Sequence, residues 1–312
     1  MKSENGGRNR EKGVGLVIIA AACWSTSGVW VKVIVETSGI SAIDLAFWRD
    51  LTTFVILLAG VSFIKPSLLR VQRRDLPMLA LMGGIGMGVF HVLWNLSTLM
   101  NGAAIATVLQ YNSPMIVSVF AWVLWREPLT WRKIMAVMLA LSGTVLVAWP
   151  NDTGGVQVTM LGLLVGLASA AAISIYTLAG KRLANTYNSW TVITYVFAFA
   201  ALALLPFTFF SQGKVNVSPL MLGAFAGFIF IPTIGGYLSY TLSLQRLQAS
   251  VAAIIATIEV LFVTVLAYLL LGEQLDSWKF MGMALVVLGV VLVSLPRQWR
   301  LRRPGHERAV SP

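Results

Sequence analysis

The sequence predicts an all-α integral membrane protein of ten transmembrane helices, arranged as two inverted five-helix repeats. Three observations predict it. The composition is apolar and poor in charge, ten apolar runs are each long enough to cross a bilayer, and one stretch of the chain recurs 146 residues later.

Of 312 residues, 57% are hydrophobic and 11% charged, whereas a soluble domain carries about 45–50% apolar and about 25% charged residues. A water-facing surface of this size needs many more polar groups; a lipid-facing one does not. Cys23 is the single cysteine and lies inside an apolar run, which excludes a disulfide framework and a cysteine-based metal site. The net charge of +11 is spread over short loops and both ends of the chain, a mark of membrane topology rather than of nucleic-acid binding. The expected partners are a small-molecule substrate and the lipid bilayer, with no nucleic acid, no metal and no cofactor. A monomer suffices for this architecture, and the sequence leaves the oligomeric state open.

A hydrocarbon core of about 30 Å needs about 20 apolar residues per helix. Such runs fall at about 13–35, 43–64, 76–99, 103–125, 131–150, 159–180, 190–210, 218–241, 249–271 and 278–296. Strands are excluded because an open sheet edge cannot satisfy its backbone in lipid. The first run follows a basic N-terminus but exceeds a signal-peptide core, so it reads as a retained span. The domain boundaries expected are a tail at 1–12, a first repeat at 13–150, a second at 159–296 and a basic tail at 297–312. Nineteen of the 23 Lys and Arg residues fall on alternate connections and the two tails. The excess of basic residues on cytoplasmic loops then puts both termini in the cytoplasm and the chain in the cell inner (plasma) membrane. Both ends on one side require an even number of spans.

The repeat is visible residue by residue. Shifted by 146, the stretch 127–150 lies on 273–296 without a gap and ten of 24 positions are identical, among them Glu127/Glu273, Lys133/Lys279, Gly143/Gly289 and Pro150/Pro296. Shared apolar bias explains matching leucines and valines, not these four in register. Five spans per half is an odd number, so the second copy enters the membrane upside down. Mirrored halves of this kind are the architecture of secondary transporters.

Ala103-Ala104-Ile105-Ala106 through Pro114, then Trp125-Arg126-Glu127-Pro128-Leu129 and Gly143, resemble the EamA-type domain of the drug/metabolite transporter superfamily. The second copy reads Ala249 to Glu259, then Leu271-Gly272-Glu273-Gln274-Leu275, Gly282 and Gly289; Phe47-Trp48-Arg49 resembles that domain's arginine-bearing second helix. The resemblance covers all ten spans. One departure stands out: Val260 occupies the position equivalent to Pro114, where family copies often carry proline. The resemblance implies export of amino acids, amphipathic metabolites or drugs, and its YddG branch implies aromatic and other amino acids.

Polar residues deep in a span are costly unless they face a cavity or a partner. His91, Trp94 and Asn95 share a helix face at i, i+3, i+4, and the shift sets His91 on Tyr237 and Trp94 on Tyr240. This pairing suggests one central pocket, although polar residues also staple helices together. Gln110 and Tyr111 precede Pro114, which removes a backbone donor and frees carbonyls nearby; these carbonyls suit an ammonium group or a cation, and a packing kink explains the same residues. Glu259 is the acid nearest the centre of a span, a candidate for proton or substrate coupling. Trp24 is a candidate cavity wall. Arg49, beside Asp50, reads as a structural pair or a gate. Glu127 and Glu273 read as caps of the next helix or partners of a basic neighbour.

A secondary transporter working by alternating access answers these features best, with a proton-coupled multidrug or metabolite extruder as the neighbouring alternative. An intramembrane enzyme would need a constellation of acid, base, nucleophile or metal ligands, and the chain has only His91 and His306 with no HExxH. A carrier of phosphorylated substrates would want Lys or Arg deep in the cavity, and the sequence places none at a span centre.

Overall fold

The computed structural model describes residues 2–101, 103–147, 159–209, 215–271 and 277–294. Glu273, Pro150, Pro296 and the basic tail 297–312 lie outside the described residues. The chain runs α1 Lys2–Ser25, α2 Ser27–Ser38 and α3 Ala42–Ile64, then two short 3₁₀ turns. The third span is α4 Leu76–Ala80, a π-helical stretch Leu81–Val89 and α5 Phe90–Asn101. α6 Ala103–Gln110, α7 Ser113–Trp125 and α8 Trp131–Val147 complete the first half. The second half follows with α9 Met160–Leu183, α10 Ser189–Thr208, α11 Pro219–Phe228, a π-helical stretch Ile229–Gly236, α12 Tyr237–Leu244, α13 Ala249–Ala256, α14 Glu259–Leu271 and α15 Ser277–Ser294. There is no strand among the described residues.

Nine of the described helical stretches are long and apolar enough to cross a bilayer. The remaining expected span is α8, seventeen residues that reach the edge of the described chain at Val147. The outward faces carry bulky apolar side chains, among them Phe63, Trp122, Leu124, Leu202 and Phe207. The protein is therefore an integral, multi-pass, all-α membrane protein, as its composition requires.

Short polar residues start the spans. Ser41 accepts from Asp44 N, Thr159 from Gly162 N, Asn188 from Trp190 N and Ser218 from Met221 N, at 3.0–3.1 Å. Each bond satisfies a first-turn donor that lipid or a thin interface cannot. At the N-terminus the structure differs from a simple tail: the helix begins at Lys2 and continues into the first span. That span then breaks at Thr26, whose hydroxyl donates back to Cys23 O at 2.7 Å, competing with the regular ladder.

The breaks and π-helical stretches recur at the 146-residue shift. Tyr111 and Asn112 interrupt the fourth span, and Thr257 and Ile258 interrupt the ninth at the equivalent positions. α6 and α13 correspond end to end, as do α7 and α14. The ninth span breaks without a proline. Thr257 supplies the interruption by donating both its amide (3.2 Å) and its hydroxyl (2.7 Å) to Ile254 O.

α8 and α15 pack against each other through glycine. A Cβ on Gly143 would lie 2.9 Å from Val286 N and against Gly282 O; one on Gly289 would lie 2.8 Å from Ala136 O and 3.3 Å from Ala140 N. These contacts run antiparallel and exchange under the shift: 143 meets 282 and 286, as 289 meets 136 and 140. Such reciprocity is that of a two-fold axis, and small residues let the backbones approach this closely.

Candidate functional site

Helices of both halves converge on a cavity of ≈ 150 Å³. Its aromatic wall is built from three helices. The Trp24 ring lies 5.2 Å from both Tyr237 and Tyr240, and Tyr176 lies 5.5 Å from Tyr237 and 6.3 Å from Tyr240. Two phenol hydroxyls are bonded within the wall, Tyr176 to Thr241 at 2.8 Å and Tyr240 to Thr177 at 3.1 Å. Their rings are left as apolar faces. The indole Nε1 of Trp24 is buried and finds no hydrogen-bond partner among the described residues. It sits where it does because position 236 is glycine: a Cβ there would fall 2.6 Å from Trp24 Cδ1.

A charged wall stands beside it. Arg49 reaches the cavity from α3. Its Nε donates to Asp50 Oδ1 at 3.1 Å, and His91 Nδ1 lies 3.3 Å from Asp50 Oδ2. A terminal guanidinium nitrogen contacts the His91 imidazole, and the guanidinium carbon lies 5.3 Å from the Phe228 ring centre, within cation–π range. Asp50 is fully buried, and the Arg49 side chain is 12% exposed. Charges so placed are tolerable only because they neutralise one another. Tyr237 OH lies 3.5 Å from His91 Nε2 and links the charged wall to the aromatic one.

The third wall is the pair of helix breaks. Gln110, Tyr111 and Ser113 line the cavity from the first break, and Ala256 and Glu259 from the second. Glu259 and Tyr111 meet in this wall from opposite halves. At the first break Asn112 Nδ2 donates to Leu109 O at 3.0 Å and Val108 O at 3.3 Å. Side-chain donation thus occupies two carbonyls at the break, those of Val108 and Leu109, and not the Gln110 carbonyl four residues before Pro114.

Of the residues singled out from sequence, Trp24, Arg49, His91, Trp94, Gln110, Tyr111, Tyr237, Tyr240 and Glu259 line the cavity, and Asn95 does not. Arg49 is a cavity-wall cation, deeper than its sequence position near the start of a span suggested. Tyr176 and Thr177 also line it, besides bonding to Thr241 and Tyr240. The signal was available, since a tyrosine amid the small residues Ser169–Thr177 of a helix needs a partner for its hydroxyl. Among the described residues, no group of three or more His, Cys, Asp and Glu side chains is placed to hold a metal ion.

Comparison with known proteins bears on the family and the fold. The profile described as EamA-like transporter family matches residues 11–149 and again 160–295. An uncharacterized inner membrane transporter, YicL, of Salmonella typhimurium is 30% identical over 93% of this chain and 98% of its own. A probable terminal-alkyne amino-acid exporter of Streptantibioticus cattleyicolor is 26% identical over 95% of this chain and 98% of its own. One crystal structure superposes with a TM-score of 0.77 at 19% identity, covering 90% of this chain and 96% of its own; that likeness is one of fold.

Proposed function

The chain belongs to the EamA-like transporter family, and from that premise we propose that it is a secondary transporter exporting small amphipathic amino acids, aromatic or hydrophobic, by alternating access. The substrate site is the central cavity, the membrane is the cell inner membrane, and both termini face the cytoplasm. One observation carries the reading: a single cavity joins an aromatic wall to a cation, Arg49, and an acid, Glu259. A zwitterion with an apolar side chain matches that set of groups. At ≈ 150 Å³ the cavity suits a compact solute better than a nucleotide sugar. The amino-acid exporter among the relatives supports the same substrate class.

A second reading, proton coupling, is favoured by Glu259 itself. Placed in the cavity wall, the carboxylate can accept a proton or meet a substrate ammonium, and the two exclude each other. Exchange of one for the other would drive export by a pH gradient.

The test is flux in liposomes containing the purified protein. Preloaded phenylalanine, leucine or tryptophan should accelerate uptake of the labelled amino acid with saturation, and glutamate or glucose 6-phosphate should not. Equal rates with and without preloaded amino acid would remove the carrier reading.

A further inference from the structure

The Glu127 end of the bundle holds a contact that the cavity does not require. α13 begins without a cap of its own, because Gln248 makes no side-chain bond to the first turn. The cap comes from the other half. Glu127, in the turn between α7 and α8, accepts from Ala249 N at 3.1 Å and from Ser250 Oγ at 2.5 Å. Lys133 Nζ lies 3.2 Å from the same carboxylate. Glu127, Lys133 and Ser250 are all buried. An acid at a helix N-terminus meets both its unpaired amides and its positive dipole end.

The turn is shaped for this contact. Arg126, immediately before, holds φ 53°, a left-handed conformation that non-glycine residues adopt at a cost. Strained backbone of this kind persists where the surroundings over-determine it. Downstream, α13 spans about 12 Å on a rise of 1.5 Å per residue. Its far end contributes Ala253 and Ala256 to the cavity, and the break at Thr257 and Ile258 then presents Glu259. On the near side, Lys181 Nζ holds Leu244 O at 2.7 Å and Leu247 O at 2.6 Å. α13 is therefore a short rod, anchored before its start, broken after its end, and held across the halves by one carboxylate and by the packing of Ala249 and Ala253 on Val117 and Ala121 of α7.

We propose that Glu127 is a positioning residue of the transport cycle, latching α13 while this end of the cavity is closed and releasing it when this end opens. The inference rests on the transport reading above. A charged latch suits a gate because water can replace its partners on opening, whereas a packed apolar contact has no such substitute. Other bonds tie the halves at the same end, including Tyr187 OH to Asp75 at 2.6 Å and Thr191 Oγ1 to Leu68 O at 2.7 Å. Arg10 Nη2 on α1 likewise donates to Val293 O at 2.7 Å, and Glu127 grips the start of the helix that presents Ala253 and Ala256 to the cavity.

The experiment places one reporter thiol, Ala256→Cys, in a Cys23→Ser background. Alkylation by a membrane-impermeant maleimide is followed from each face of the vesicle, with Thr130→Cys marking the Glu127 face. From that face, Glu127→Ala should raise the labelling rate of the reporter at least tenfold, and Ser250→Ala about threefold. Glu127→Gln, which keeps an acceptor but loses the charge, should fall between. In flux measurements Glu127→Ala should lower kcat more than it changes KM. Wild-type labelling rates in folded, monodisperse Glu127→Ala would overturn the latch, whatever happens to flux. If that variant does not fold, unchanged labelling in both Glu127→Gln and Ser250→Ala overturns it equally. Failure of the transport reading shows separately, as absence of flux from the unsubstituted protein.

Discussion

Tyr237 and His91 are 146 residues apart, and they face each other: the phenol oxygen lies 3.5 Å from the imidazole Nε2. Each is the other's counterpart under the internal shift. Residues related by a two-fold operation touch only at its axis, so this pair marks the axis, in the wall of the cavity. A substrate bound there meets both halves at once.

Replacing Tyr237 by Phe removes the hydroxyl and keeps the ring. The lost contact with His91, up to about 1 kcal/mol for a hydrogen bond, should lower the melting temperature slightly, and KM should change less than about fivefold. Uptake kinetics in liposomes check this. Tyr237→Ala, which opens the aromatic wall, should cost far more in both.

Asp50 neutralises Arg49 and bonds His91 from a fully buried position. Asp50→Asn leaves the guanidinium without its counter-charge, and breaking a buried pair costs about 3–5 kcal/mol. Thermal unfolding in detergent should show a large loss, partly reversed when Arg49→Met is added. A double variant no more stable than Asp50→Asn alone would contradict the pairing.

Glu259→Gln cannot take up or release a proton. In the unsubstituted protein, protonation of Glu259 removes the negative charge that meets a substrate ammonium, so KM should rise as pH falls. In the variant that dependence should flatten. KM measured across pH on the substrate side decides between the two, and a full pH profile in Glu259→Gln would assign coupling elsewhere.

Glycine at the α8–α15 crossing is a packing requirement. Gly289→Ala sets a methyl group 2.8 Å from Ala136 O and 3.3 Å from Ala140 N, both backbone atoms. Overpacking of this kind costs about 1–3 kcal/mol. Gly60, where nothing lies within 4 Å of an added Cβ, is the control: Gly60→Ala should be neutral or gain up to about 1 kcal/mol of helix propensity. Detergent melting curves of the pair test the contrast.

Much of the cavity was legible because membrane burial makes polar side chains informative. His91, Tyr237 and Glu259 sit in apolar runs, and the shift already paired the first two. Pro114 announced the break in the fourth span. The break in the ninth was hidden, since Val260 replaces the proline and the interruption comes from Thr257 bonding back to Ile254. Asn95 shares a helix face with His91, yet the cavity takes only the Trp94 side of that face. Glu127 was seen as a cap, but its helix lies 122 residues away, a pairing that no local pattern encodes.

The glycine seam between α8 and α15 has a bearing on ancestry. Because Gly143 meets 282 and 286 as Gly289 meets 136 and 140, the surface each half offers the other is one that two identical chains would offer each other. A five-span protein carrying that surface would find its complement in a second molecule inserted the opposite way round. Joining two such genes fixes the stoichiometry and the opposed insertion, and frees each copy to diverge, as the single Glu259 opposite Ser113 already records.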